Sequence, residues 1–330
     1  MTRAAVWWDE HQIALYVAAI IAGALGGILA PGIAPALTVS INPVLGLLLF
    51  ATFLGVPLME VGRSFRDLRF LGAVLIVNFV VVPAIVFGLS RFVADDRGLL
   101  LGVLLVLLTP CVDYVIVFTG LAGGAKARLL AAAPLLMLLQ ILFLPLYLLM
   151  FAGAGAVELI EIGPFAEAFL VLIVVPLVAA AIVQAIARQH RAGQIIEQVM
   201  ARAMVPLMML TLAVVIGSQI AAVGAEALAL VRVVPLYVAF LVVMLFIGLG
   251  AGRVGKLDVA ATRAVVFSGA TRNSLVVLPL ALSLPSTLSI APLAVVTQTL
   301  VELVGMVVFV RLVPLLVRSK SADEQVAAAV

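Results

Sequence analysis

Two short stretches of this chain carry groups that could do chemistry in a place where such groups are costly. The first is Thr109-Pro110-Cys111-Val112-Asp113-Tyr114, which follows the uninterrupted apolar run Leu100 to Leu108 and holds the only cysteine, a helix-breaking proline and a carboxylate. The second is Ser268-Gly269-Ala270-Thr271-Arg272-Asn273, with an arginine equally deep in apolar sequence. An ionisable group at bilayer depth costs roughly 2.5 kcal/mol or more and marks a substrate or proton path more often than not. A third candidate is Glu302, in Thr297-Gln298-Thr299-Leu300-Val301-Glu302. The chemistry on offer is soft-ligand binding at Cys111, proton exchange at Glu302 or Asp113, and charge pairing between Asp113 and Arg272.

Each group also has a plainer reading. Pro110 removes a backbone hydrogen bond and opens a helix, either as a simple kink or to expose carbonyls as ligands. Asp113 and Arg272 form either a functional charge pair or a structural tie between helices, because attraction in low dielectric mostly offsets desolvation. Cys111 is either a metalloid ligand or a small inert hydrophobe. Glu302 is either a proton carrier or a neutral packing carboxyl. Asn78, Gln140, Gln219 and Gln298 could join helices by hydrogen bonds alone.

The elements that must position these groups follow from composition. Of 330 residues, 66% are apolar and 11% charged, too few charges to cover a water-soluble surface. An all-α polytopic membrane protein is expected. Ten segments reach the roughly 20 residues a span needs: 13–36, 41–60, 69–92, 97–121, 127–151, 164–187, 200–223, 229–252, 260–283 and 288–315. The N-terminus has no signal-peptide character, so 13 onward is expected as a retained span. With the N-terminus cytoplasmic, fourteen lysines and arginines fall inside and three (Arg91, Arg97, Arg232) outside. That bias predicts a multi-pass protein of the cell (inner) membrane with both termini cytoplasmic. One cysteine and two histidines give neither an internal disulfide nor a structural zinc site.

Ten spans divide into two fives, and an odd-numbered unit repeated in tandem must invert. Ala133-Pro134-Leu135 and Gln140 recur as Ala291-Pro292-Leu293 and Gln298 at a constant offset of 158, which also lays 110–115 on 268–273. The expected domains are 1–157 and 158–318, a five-plus-five inverted repeat, then a disordered cytoplasmic tail, 319–330.

Thr109-Pro110-Cys111, then Val115-Ile116-Val117-Phe118 and Leu121-Ala122-Gly123-Gly124, together with Ala270 to Leu282 and Val301-Glu302-Leu303-Val304, resemble motifs of the arsenite-efflux branch of the bile acid:sodium symporter superfamily. The resemblance covers most of the spans. It implies broken, crossing helices at spans four and nine, a core domain of spans 3–5 and 8–10 and a panel of spans 1, 2, 6 and 7. The family's functional cysteine and glutamate fall on Cys111 and Glu302, and its aromatic after the cysteine on Phe118. Departures are equally informative. Val115 and Ile116 stand where sodium-coupled relatives have Ser-Asn, and Arg272 replaces a glutamine, leaving only Asn273 of that run. Aliphatic side chains cannot coordinate sodium and an arginine repels it. The arsenite branch usually has small or neutral residues where this chain has Asp113 and Arg272.

Two functions stay open. One is sodium-independent, proton-coupled efflux of arsenite or a related trivalent metalloid, with Cys111, Asp113, Phe118, Arg272 and Asn273 at the substrate and Glu302 and Asp113 carrying protons. The other is an organic-anion carrier with Arg272 as the anion site. The partners are then a small inorganic or anionic substrate, protons and lipid, with no nucleic acid, no cofactor and no metal, as a monomer or homodimer. No His-Glu-x-x-His or Gly-x-Ser-x-Gly points to an enzyme.

Overall fold

The computed structural model describes residues 11–56, 66–112, 114–153, 163, 167 and 169–318. Among these the regular structure is helical, with one isolated antiparallel bridge, Pro110 to Arg272. In chain order the helices are α1 (Gln12–Leu29), α2 (Pro31–Gly55), α3 (Leu68–Val93), α4 (Arg97–Leu107), α5 (Tyr114–Leu121) and α6 (Lys126–Ala152). There follow α7 (Leu170–Ala187), α8 (Arg191–Ala225), α9 (Ala227–Val254), α10 (Val259–Ala270), α11 (Ser274–Leu282) and α12 (Ile290–Leu316).

This corrects the expected ten-span, five-plus-five arrangement. Seven helices among the described residues are long and apolar enough to cross a membrane: α2, α3, α6, α7, α8, α9 and α12. The apolar part of α1, Ala14–Leu29, is shorter, as are α4 and α10. Segments 97–121 and 260–283, each expected as one span, are each divided in two. Hydropathy counts apolar residues without registering continuity, and a backbone break ends a helix however apolar its flanks. The chain is an all-α, multi-pass membrane protein with about seven long apolar helices. Asp113 and the tail 319–330 lie outside the described residues.

The chain forms two compact units. The first comprises Met1–Met59, Glu158–Val231 and Leu275–Val296. Within it α8 packs along α1 and α2. Gly23 and Gly27, one turn apart on α1, allow this: a Cβ at Gly23 would lie 2.5 Å from the Ala213 carbonyl oxygen and one at Gly27 2.3 Å from that of Gly217. Where lipid tails are as apolar as leucine, such small residues bring helix backbones into van der Waals contact. Gln184 of α7 donates Nε2 to the carbonyls of Phe53, Leu54 and Val56 (3.1, 3.1 and 2.7 Å), the orphan acceptors where α2 ends.

The second unit comprises Glu60–Val157, Arg232–Ser274 and Thr297–Val330. Three of its helices begin on an aspartate cap: Asp67 accepts from the Phe70 amide (3.1 Å), Asp96 from Leu99 (3.0 Å) and Asp258 from Ala261 (2.7 Å). Arg128 links two of these caps, 3.3 Å from Asp67 and 2.7 Å from Asp258. The Ala261 N–H, and then Arg128, hold the Asp258 carboxyl below the usual carboxylate range. At the other end of α3, Arg232 pairs with Asp95 at 2.6 Å and lowers that carboxyl too. The middle of α3 widens into a π-turn, Val77–Val81, just ahead of Pro83. Pro83 has no N–H to give the Phe79 carbonyl four residues back, and the Tyr147 hydroxyl of α6 donates to that carbonyl at 2.6 Å.

Candidate functional site

The site is built at the two breaks, all within the second unit. α4 stops at Leu107 because Pro110 cannot continue it, and the Thr109 hydroxyl turns back to the Leu105 carbonyl at 2.8 Å. α10 stops in the same way: the Thr271 hydroxyl donates to Phe267 O at 2.7 Å. Backbone left open in an apolar interior needs partners, and the two breaks supply each other's. Cys111 N–H donates to Thr271 O at 3.3 Å, and Asn273 N–H donates to Thr109 O at 2.8 Å. The result is a two-rung antiparallel ladder with Pro110 opposite Arg272.

Arg272 is the hub, and its side chain is fully buried. Its guanidinium folds back over its own helix end, donating to Ser268 O and Gly269 O, each at 2.7 Å. It also reaches Asn78 Oδ1 at 2.8 Å and, more weakly, Leu107 O at 3.4 Å. Those carbonyls are the C-terminal ends of α10 and α4, where the helix dipole favours a cation. The Phe240 ring lies 5.6 Å from the guanidinium carbon. Of the three guanidinium nitrogens, Nε has no hydrogen-bond partner among the described residues.

Asn78 makes that grip possible. It sits on the π-turn of α3, and its Nδ2 donates to Val74 O (2.9 Å) and Ser268 Oγ (3.0 Å), leaving Oδ1 to accept from Arg272. A π-turn is a frequent way to aim one side chain at a functional site.

Glu302 of α12 comes to the backbone of the same arginine. Its Oε2 accepts the Arg272 amide N–H at 2.8 Å and Gln298 Nε2 at 2.5 Å. Its Oε1 lies 2.5 Å from the hydroxyl of Tyr114, which is also 2.8 Å from Arg272 O. So both backbone groups of Arg272 are held by side chains. Glu302, Cys111, Phe118 and Asn273 are all buried. Phe118 stands edge-on to Tyr114, ring centres 6.1 Å apart, on the first turns of α5.

The structure therefore gathers Cys111, Arg272, Asn273 and Glu302 around one crossing, with Phe118 behind Tyr114. The expected Asp113 partner of Arg272 is outside the described residues. Sequence reasoning missed Tyr114 entirely and took Asn78 and Gln298 for simple helix-joining amides. An aromatic in an apolar run reads as packing, and only the proximity of Pro110 could have singled out Tyr114. No group of three or more His, Cys, Asp or Glu among the described residues is placed to hold a metal.

Comparison with protein-family models matches residues 42–226, more than half of the chain, to the Sodium Bile acid symporter family. The matched stretch includes the first break and ends before the second. No curated protein matches the chain.

Proposed function

The chain belongs to the Sodium Bile acid symporter family, and on that premise we propose that it exports arsenite or a related trivalent metalloid in exchange for protons, without sodium. Family and all-α membrane fold make it a secondary transporter, a carrier and not an enzyme.

The observation that carries the finer reading is that Cys111 and Glu302 hang on adjacent residues of one break. Cys111 bonds through its amide to Thr271, and Glu302 takes the amide of Arg272. A soft thiol suits a trivalent metalloid, and a carboxyl held at the same break can exchange a proton as the metalloid binds or leaves. Cys111 is buried, so the crossing must open for it to act as a ligand, as alternating access requires.

Sodium independence is supported by what Arg272 occupies. The carbonyls of Leu107, Ser268 and Gly269, which could otherwise face a cation, already accept from a tethered guanidinium. The same contacts weigh against the organic-anion reading, since Nη2 of Arg272 is already given to the oxygens of Asn78, Ser268 and Gly269. Asp113 is the proposed charge partner of Arg272. In sequence it stands between Cys111 and Tyr114, both bonded to the second break.

The inner-membrane orientation rests on charge. Arg128 and Arg263 mark one end of the second unit, on Asp67, Asp258 and the Val317 carbonyl (2.8 Å). Arg91 and Arg232 mark the other end, with Asp95 and the Phe151 carbonyl (2.9 Å). The richer basic end is assigned to the cytoplasm.

Purified protein in proteoliposomes, loaded with arsenite and given a pH gradient, tests the reading. Arsenite should move with the gradient, equally well in sodium or choline, and Cys111→Ser or Glu302→Gln should abolish it. Steep sodium dependence, or movement of small carboxylates in place of arsenite, would overturn the proposal.

A further inference from the structure

Resting on the reading of Glu302 as the proton carrier, we propose that Tyr114 is the positioning residue that turns protonation of Glu302 into a hydrogen bond made or released between the two breaks. The phenol oxygen lies between two acceptors, Glu302 Oε1 at 2.5 Å and the Arg272 carbonyl at 2.8 Å. A hydroxyl has one hydrogen to give, so it cannot serve both fully.

The two protonation states of Glu302 resolve this differently. An ionised carboxylate only accepts, and a charged acceptor draws the tyrosine hydrogen more strongly than a neutral carbonyl. The Arg272 carbonyl then loses that donor, and the start of α5 is no longer tied to the second break. When a proton arrives on Oε1, the new carboxyl O–H donates to the phenol oxygen. The tyrosine hydrogen turns to the Arg272 carbonyl, and the tie is made. One proton has been gained by Glu302, none has left Tyr114, and one hydrogen bond between α5 and the break has formed.

The rest of the carboxyl's environment does not change hands. Oε2 keeps the Arg272 amide and Gln298 in either state. The other ionisable groups described at the crossing are Cys111 and Arg272, and the described donors of the Arg272 guanidinium point to Asn78 and to the carbonyls of Leu107, Ser268 and Gly269. The Tyr114 hydroxyl touches both Glu302 and the break's carbonyl, which is what a relay between them needs.

The test needs no transported substrate. Infrared difference spectra of the purified protein across a pH step report the C=O stretch of any carboxyl that gains a proton. Glu302→Gln should remove one such band, and Tyr114→Phe should move that band to higher frequency because the carboxyl has lost its acceptor. In wild-type protein carrying ring-labelled tyrosine, a label-sensitive band should change in step with it and be absent from Glu302→Gln. This last measurement decides the matter even if Tyr114→Phe does not fold. An unmoved carboxyl band in Tyr114→Phe, or no tyrosine signal accompanying it, would overturn the relay and leave Glu302 as proton carrier. If Glu302→Gln removes no band, the proton-carrier reading fails, and the relay with it.

Discussion

Glu302 and Arg272 are hydrogen-bonded through the backbone: Oε2 of the glutamate accepts the arginine's amide N–H at 2.8 Å. The guanidinium is turned to Asn78 and to the carbonyl ends of α4 and α10. It therefore acts as a cap for two helix C-termini, and the planar fork matters as much as the charge. Arg272→Gln, and also Arg272→Lys, should cost about 3–5 kcal/mol, because buried acceptors are left open and any remaining charge is ungripped. Asn78→Ala should cost less, about 1.5–3 kcal/mol, having removed one charge-assisted bond. Melting temperature in detergent ranks the three variants. A lysine variant as stable as wild type would mean that the fork does not hold the crossing.

The α1–α8 contact gives a sharper steric contrast. A Cβ at Gly27 would sit 2.3 Å from Gly217 O, whereas one at Gly26 meets nothing within 4 Å. Backbone cannot move aside as a flexible side chain can, so Gly27→Ala should destabilise by about 1–3 kcal/mol. Gly26→Ala, one residue earlier, should be neutral or stabilise by about 0.5–1 kcal/mol, since alanine loses less entropy in a helix. Thermal unfolding of the two variants side by side checks this, and equal effects would show that the helices are not in backbone contact at Gly27.

Legibility in the sequence followed the physics of each residue. Pro110, Cys111, Arg272 and Glu302 stood out because a helix breaker, a thiol and two charges are costly or rare in apolar sequence, and the structure brings them to one crossing. The number of long helices did not follow, since the breaks that mark the site also cut 97–121 and 260–283 into short helices. Asn78 was visible as a buried amide, but its aim depends on the π-turn Val77–Val81, which composition does not encode. Tyr114 was hidden because its ring packs like any aromatic while its hydroxyl does the polar work.

At the basic end of the second unit, Asp258 links folding to pH. Its carboxyl titrates below the usual range because it accepts the Ala261 N–H and pairs with Arg128. A carboxyl whose folded value is depressed adds stability above its unfolded value of about 3.9, and that stability is lost as pH falls through the folded value. Asp258→Ala should therefore lower the melting temperature near neutral pH, with about 0.5–2 kcal/mol from the lost cap. The gap to wild type should narrow as pH drops below about 3.9. A gap that stays constant over that range would assign the whole effect to packing.

Pro83 and Tyr147 form a compensating pair that a double-mutant cycle can expose. Pro83 leaves the Phe79 carbonyl without its helical donor, and the Tyr147 hydroxyl fills the role at 2.6 Å. Phenylalanine at 147 would keep the stacking on Phe143 and Phe151, whose ring centres lie 5.8 and 5.7 Å away. Tyr147→Phe thus removes only the donor and should cost about 1–3 kcal/mol for a part-buried acceptor left open. Pro83→Ala restores an N–H four residues beyond Phe79, where a regular helix would deliver it. In that background Tyr147→Phe should cost less, with a coupling of about 0.5–3 kcal/mol between the two sites. The π-turn that aims Asn78 lies immediately before Pro83, so Pro83→Ala should also loosen the Asn78 grip on Arg272 and slow transport even where stability recovers. Strictly additive losses in melting temperature would show that the Tyr147 hydroxyl does not stand in for the missing amide.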